Sequence, residues 1–116
     1  MIKVLCGGRF NFPHLGHEYF LKKAKSYGDY LIVVIANDSH NTKYAERTDA
    51  AKRKEYIENL GMADEVVVGD KEDFFKVVEK YKPQIIALGW DQKLPFEQNK
   101  LEDLGIRIVI IGKSEE

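Results

Sequence analysis

The stretch Tyr30-Leu31-Ile32-Val33-Val34-Ile35-Ala36 narrows most sharply what this chain can fold into. It is apolar at every position and largely β-branched, with none of the alternation of a strand that has one wet face. A run of this kind marks a strand covered on both faces, and hence a parallel sheet. Parallel neighbours need crossover connections, usually helical, and the chain supplies them in turn. Residues 2–6 read as a first strand. A helix is expected over 15–27, where Phe20, Leu21, Ala24 and Tyr27 recur at helical spacing. Gly28 is expected to close it as a C′ residue. After the second strand, 37–47 is polar and irregular. Thr48 or Asp49 can cap a second helix running to about Leu60, with Gly61 behind it. Residues 65–68 read as a third strand. Asp70 can cap a third helix whose stripe is Phe74, Phe75, Val77, Val78 and Tyr81, and Pro83 stops it. A fourth strand over 84–88, a helix near 96–104 and a fifth strand over 107–111 complete the alternation. The pattern predicts an α/β fold: a five-stranded parallel sheet with helices on both faces, in one domain spanning 1–116.

Composition bounds what such a domain does. A chain of 116 residues can bury on the order of two-thirds of its unfolded surface. At 44% hydrophobic and 32% charged it reads as soluble and globular. A net charge of −1 gives no global field to draw nucleic acid or an anionic membrane. One cysteine, Cys6, allows no internal disulfide and reads as a buried strand residue rather than a catalytic thiol. No apolar run reaches membrane-spanning length and no signal-peptide pattern opens the chain, so the cytoplasm is expected.

Chemistry concentrates in Gly7-Gly8-Arg9-Phe10-Asn11-Phe12-Pro13-His14-Leu15-Gly16-His17, between the first strand and the first helix. A helix N-terminus carries unpaired N–H groups and the positive end of the macrodipole, which suits an anion. Gly7, Gly8 and Gly16 let backbone approach a ligand closely. His14 and His17 stand three apart, so one helical turn aims both the same way. Two imidazoles, Arg9 and bare N–H groups together describe a phosphate site.

These residues resemble the nucleotidyltransferase superfamily with the HxGH signature, which includes the cytidylyltransferases and the archaeal FAD synthetases. The short motif gains weight from its setting: a strand before it, a Gly-x-Phe-[Asp/Asn] lead-in, and a helix behind. A second segment, Lys82-Pro83-Gln84-Ile85-Ile86-Ala87-Leu88-Gly89-Trp90-Asp91-Gln92, resembles the Pro-Asp-Ile-Ile-x-Leu-Gly-x-Asp-Gln segment of archaeal FAD synthetases and the shorter Gly-x-Asp segment of glycerol-phosphate cytidylyltransferases. Ala63-Asp64-Glu65-Val66-Val67-Val68-Gly69 is similar to their Val-Asp-x-Val-x-x-Gly. Three departures stand out: Gly8-Arg9-Phe10-Asn11 replaces Gly-Thr-Phe-Asp, Pro13 replaces an aromatic or small apolar residue, and the usual Ile-Ser-[Ser/Thr]-Thr segment is reduced to Gly112-Lys113-Ser114-Glu115-Glu116. Arg9-Phe10 is similar to the opening of the nicotinamide-mononucleotide adenylyltransferases.

The resemblance implies a single Rossmann-like domain that transfers a nucleoside monophosphate from ATP or CTP to a phosphorylated acceptor, releasing pyrophosphate. It implies His14, His17 and Lys43 as catalytic residues, with Arg47 a further basic candidate. It implies Gly7, Gly8, Arg9, Phe10, Asn11, Gly16, Asp91 and Gln92 on the nucleotide and its phosphates. Asp38, Arg53 and Trp90 are weaker candidates for the acceptor, and Trp90 can stack on a ring. Mg²⁺ would enter through the phosphates; no protein metal cage is expected, and His40 reads as a loop histidine. A homodimer is expected by resemblance, with an apolar edge near the fifth strand or third helix as a candidate interface. FMN is the favoured acceptor. Glycerol-3-phosphate, a sugar phosphate or a phospholipid head group is the alternative. A nucleotide-binding module with weak catalysis, its triphosphate-binding segment reduced, is the reading from another class.

Overall fold

The computed structural model describes residues 1–8, 15–35, 50–69, 74–89 and 99–112, with backbone alone at 15–17, 50 and 74. Five strands and four helices alternate: β1 (Lys3–Gly8), α1 (Leu15–Ser26), β2 (Tyr30–Ile35), α2 (Ala50–Asn59), β3 (Glu65–Val68), α3 (Phe74–Tyr81), β4 (Ile85–Gly89), α4 (Asn99–Asp103) and β5 (Arg107–Ile111). The strands form one sheet in the order β3-β2-β1-β4-β5, and every neighbouring pair is parallel.

The apolar run that forms β2 behaves as its composition demands. Leu31, Val33 and Ile35 face one side, where they pack with Leu21 and Ala24 of α1 and Ile57 of α2. Ile32 and Val34 face the other, with Val77 and Val78 of α3 and Leu101 of α4. Side chains alternate across a strand, so a residue at every position must be apolar when both faces are covered. Burying one such side chain contributes about 1.5–3 kcal/mol, and the two clusters share the strands between them. The chain lays β2 and β3 down on one side of β1 with α1 and α2 on one face. It then crosses to β4 and β5 on the other side, with α3 and α4 on the opposite face.

Two expectations need correction. Gly7 and Gly8 are strand residues, paired with Val34 and Ile35, rather than the start of a turn. Gly28 does not close α1 by a left-handed conformation; the described glycines with positive φ are Gly61 and Gly105, which follow α2 and α4. Gly28 is there for space. A Cβ on it would lie 2.7 Å from the Ile2 carbonyl oxygen and 2.8 Å from Val4 Cγ2. Smaller differences sit at element ends: β4 runs one residue later than expected, through Gly89, and α3 ends at Tyr81, followed by Lys82, whose φ is 46°.

The amino edge of the sheet is closed by side chains. The Ile2 N–H donates to Asp29 Oδ2 at 2.9 Å, and the Leu31 N–H to Asp64 Oδ2 at 2.8 Å. Asp64 also pairs with Lys25 of α1, and the Tyr30 hydroxyl donates to Glu65 Oε1 at 2.8 Å. These bonds satisfy strand-start groups that have no ladder partner. They leave the opposite edge as the place for chemistry.

Candidate nucleotide site at the carboxyl edge

Because all five strands are parallel, their carboxyl ends share one edge. The pairing between β1 and β4 is shorter than that of its neighbours. β1 pairs with β2 through Gly8↔Ile35, and β4 pairs with β5 through Gly89↔Ile111. Between β1 and β4, however, the pairing covers Val4↔Ile85 and Leu5↔Ile86. That pairing ends short of Gly8 and Gly89. Its end coincides with the reversal of strand order, which is where ligands bind open parallel sheets.

The carboxyl ends of these two strands carry residues without side chains: Gly7 and Gly8 on β1, Gly89 on β4. α1 starts at the same edge and runs down the sheet, so the first-turn N–H groups of Leu15, Gly16 and His17 face the carboxyl side. Glu18 in that turn complements the positive end of the helix. The structure thus brings Gly7, Gly8, Gly16 and the His17 backbone to one rim. Arg53 lies in the first turn of α2, which begins at that rim too. It is the one buried charged residue among those described, 1% exposed. His14, Lys43, Arg47, Arg9, Phe10, Asn11, Asp38, His40, Trp90, Asp91 and Gln92 lie outside the described residues. By chain connection the segments that carry them leave from the carboxyl ends of β1, β2 and β4.

Among the described residues, the perturbed titrations belong to Cys6 and to the amino edge. Burial pushes the Cys6 thiol up to about 12, so it stays protonated and unreactive. The Tyr30 hydroxyl is raised first by its bond to Glu65 and then by burial, and Tyr81 first by burial and then by Glu65. Asp64 is lowered first by Lys25 and then by the Leu31 N–H. Tyr30, Tyr81 and Asp64 belong to the amino edge and do structural work. Among the described residues no group of three or more His, Cys, Asp or Glu stands together to hold a metal. None of the described helices is long and apolar enough to cross a membrane. Sequence reasoning missed the depth of Arg53, although its spacing of four from Ile57 carried the signal: both fall on one helical stripe.

Residues 5–116 match the cytidylyltransferase-like family. The FAD synthase of Ferroglobus placidus is 39% identical over 115 residues, covering 96% of this chain and 75% of that protein. The FAD synthase of Thermoplasma volcanium is 39% identical over 115 residues, covering 96% of this chain and 81% of that one. A crystal structure described as the lipopolysaccharide core biosynthesis protein of Thermoplasma volcanium superposes with a TM-score of 0.83 at 38% identity, covering 100% of this chain and 98% of that one.

Proposed function

We propose that this chain, which belongs to the cytidylyltransferase-like family and is a nucleotidyltransferase, is an FMN adenylyltransferase of the FAD synthase type. The observation that carries this reading is the 39% identity to the Ferroglobus placidus FAD synthase over 96% of this chain. The carboxyl edge supports it, because glycines at the ends of β1 and β4 beside a helix start suit a triphosphate.

In the proposed reaction a phosphate oxygen of FMN attacks the α-phosphorus of ATP. The new oxygen–phosphorus bond forms as the bond to the bridging oxygen of the β-phosphate breaks, and pyrophosphate leaves with that electron pair. No covalent intermediate on the protein is needed. The protein holds the reactants in line and neutralises charge on the phosphoryl oxygens. His14 and His17 donate hydrogen bonds to the phosphates, most strongly in the transition state. Lys43 and Arg9 add positive charge, and Gly7, Gly8 and Gly16 allow close approach. Phe10, Asn11, Asp91 and Gln92 contact the nucleotide. Asp38 and Trp90 stand on the acceptor side, Trp90 offering its ring to the flavin. Magnesium arrives as the complex with ATP, which suits its habit of keeping phosphate and water ligands. A homodimer is part of the same proposal; Ile110 and Leu104, exposed near β5, are its candidate contacts, and the mass in solution by light scattering checks it.

A sugar-phosphate acceptor is the second reading, favoured by the likeness to the Thermoplasma volcanium protein described as one of lipopolysaccharide core biosynthesis. Incubating the protein with Mg·ATP and FMN, and in parallel with Mg·ATP and a sugar phosphate, separates the two. A fall in flavin fluorescence, with FAD recovered by chromatography, supports the first reading. Unchanged FMN, with a sugar phosphate consumed instead, establishes the second.

A further inference from the structure

Three residues at the amino edge make the same pair of bonds. Each stands just ahead of a strand and grips the neighbouring strand near its start. The Asp29 N–H donates to the Ile2 carbonyl oxygen at 2.8 Å, and Asp29 Oδ2 accepts the Ile2 N–H at 2.9 Å. The Asp64 N–H donates to the Leu31 carbonyl oxygen at 2.9 Å, and Asp64 Oδ2 accepts the Leu31 N–H at 2.8 Å. The Gln84 N–H donates to the Lys3 carbonyl oxygen at 3.0 Å, and Gln84 Oε1 accepts the Lys3 N–H at 2.6 Å. In each case a side-chain oxygen does what a carbonyl does within a ladder. A two-bond clasp thus fixes β2 on β1, β3 on β2 and β4 on β1.

The clasps differ in how much ladder stands behind them. Six residue pairs back the Asp29 clasp, from Lys3↔Tyr30 to Gly8↔Ile35. Four back the Asp64 clasp. Two back the Gln84 clasp, Val4↔Ile85 and Leu5↔Ile86. Gln84 also accepts the Arg107 N–H on its backbone carbonyl at 3.0 Å, which brings β5 to the same level. It is the junction of the two halves of the sheet. β1 runs on into the segment that bears His14 and His17, and β4 into the segment of Trp90, Asp91 and Gln92. The relative height of β1 and β4 sets the level at which each segment leaves the sheet. Catalysis is sensitive to such offsets, since a misplacement of about 1 Å can cost about 100-fold in rate.

We propose that Gln84 is a positioning residue for the transfer reaction. Its clasp on Lys3 fixes the height of β4 against β1, and so the alignment of the reactants held beyond the far ends of both strands. It acts through the strands, from about 17 Å below Gly89. This rests on the adenylyltransferase reading. The test is steady-state kinetics with Mg·ATP and FMN for the wild type, Gln84→Met, Gln84→Glu and Asp29→Ala, with a thermal melt of each. Gln84→Met keeps the length of the side chain and loses the acceptor. Its kcat should fall about two- to tenfold, the scale of one hydrogen bond, with KM for both substrates unchanged. Gln84→Glu keeps an oxygen at the same reach and should restore kcat. Asp29→Ala loses the equivalent bond where the ladder is longest, so it should melt lower while its kcat stays at the wild-type value. Wild-type kcat in Gln84→Met, an equal loss in Asp29→Ala, or no recovery in Gln84→Glu overturns the proposal. Loss of folding in Gln84→Met assigns the residue to the fold alone and overturns it too. A wild type that transfers no adenylate to FMN contradicts the adenylyltransferase reading itself.

Discussion

A single side chain in this chain matters through where its strand or helix delivers it. His17 sits in the first turn of α1, at the rim where β1 ends. If it donates to the phosphates in the transition state, His17→Ala lowers kcat by about two to three orders of magnitude, the usual loss for one such donor. Its melting temperature should barely move, and steady-state kinetics beside a thermal melt separates the two effects. Cys6 is the opposite case. It adjoins the glycines of the rim, yet its thiol is buried and pushed up to about 12. Reaction with a thiol reagent such as Ellman's should be slow in the native protein and immediate in denaturant. Fast native labelling with loss of activity would give Cys6 a place in the site.

Elements explain why two glycines of the fold differ. Gly105 has a φ of 73° and open space around its missing Cβ, so Gly105→Ala is strained by backbone conformation alone, by about 1–2 kcal/mol. Gly28 has no positive φ, and its alanine variant meets the Ile2 carbonyl oxygen and Val4. Overpacking of that kind costs about 1–3 kcal/mol, and each kcal/mol lowers the melting temperature of a domain this size by roughly 4–8 °C. Both glycines look alike in a sequence, which is why Gly28 reads as a helix cap until β1 is seen to pass beneath it. β2 shows the reverse: an unbroken apolar run admits one environment, and the structure supplies it for Leu31 to Ile35, all buried. The contacts of the amino edge are not legible in the sequence because the partners are remote along the chain. Asp64 meets Lys25 and Leu31 only once α1, β2 and β3 are assembled. Its carboxyl is held below its usual value, so it favours the fold above about pH 4 and that contribution fades as pH falls through the lowered value. Urea unfolding between pH 7 and pH 2.5 should therefore show a steeper acid loss in the wild type than in Asp64→Asn.

The whole molecule joins two halves of a sheet that run away from each other, and the seam between β1 and β4 is where their ladder stops short. The strand-and-helix alternation made the parallel sheet and the shared carboxyl edge legible in advance. The burial of Arg53 was signalled only by its spacing of four from Ile57, because depth depends on what α2 packs against rather than on its own charge pattern. The central claim is that this rim transfers adenylate to FMN. Pyrophosphate release with Mg²⁺, measured for ATP and for CTP against FMN, glycerol-3-phosphate and a sugar phosphate, tests it most directly, with His17→Ala alongside. The account predicts turnover with ATP and FMN that falls by about two to three orders of magnitude in His17→Ala. Release in none of the six pairings while Mg·ATP still binds, or turnover that His17→Ala leaves intact, would contradict it.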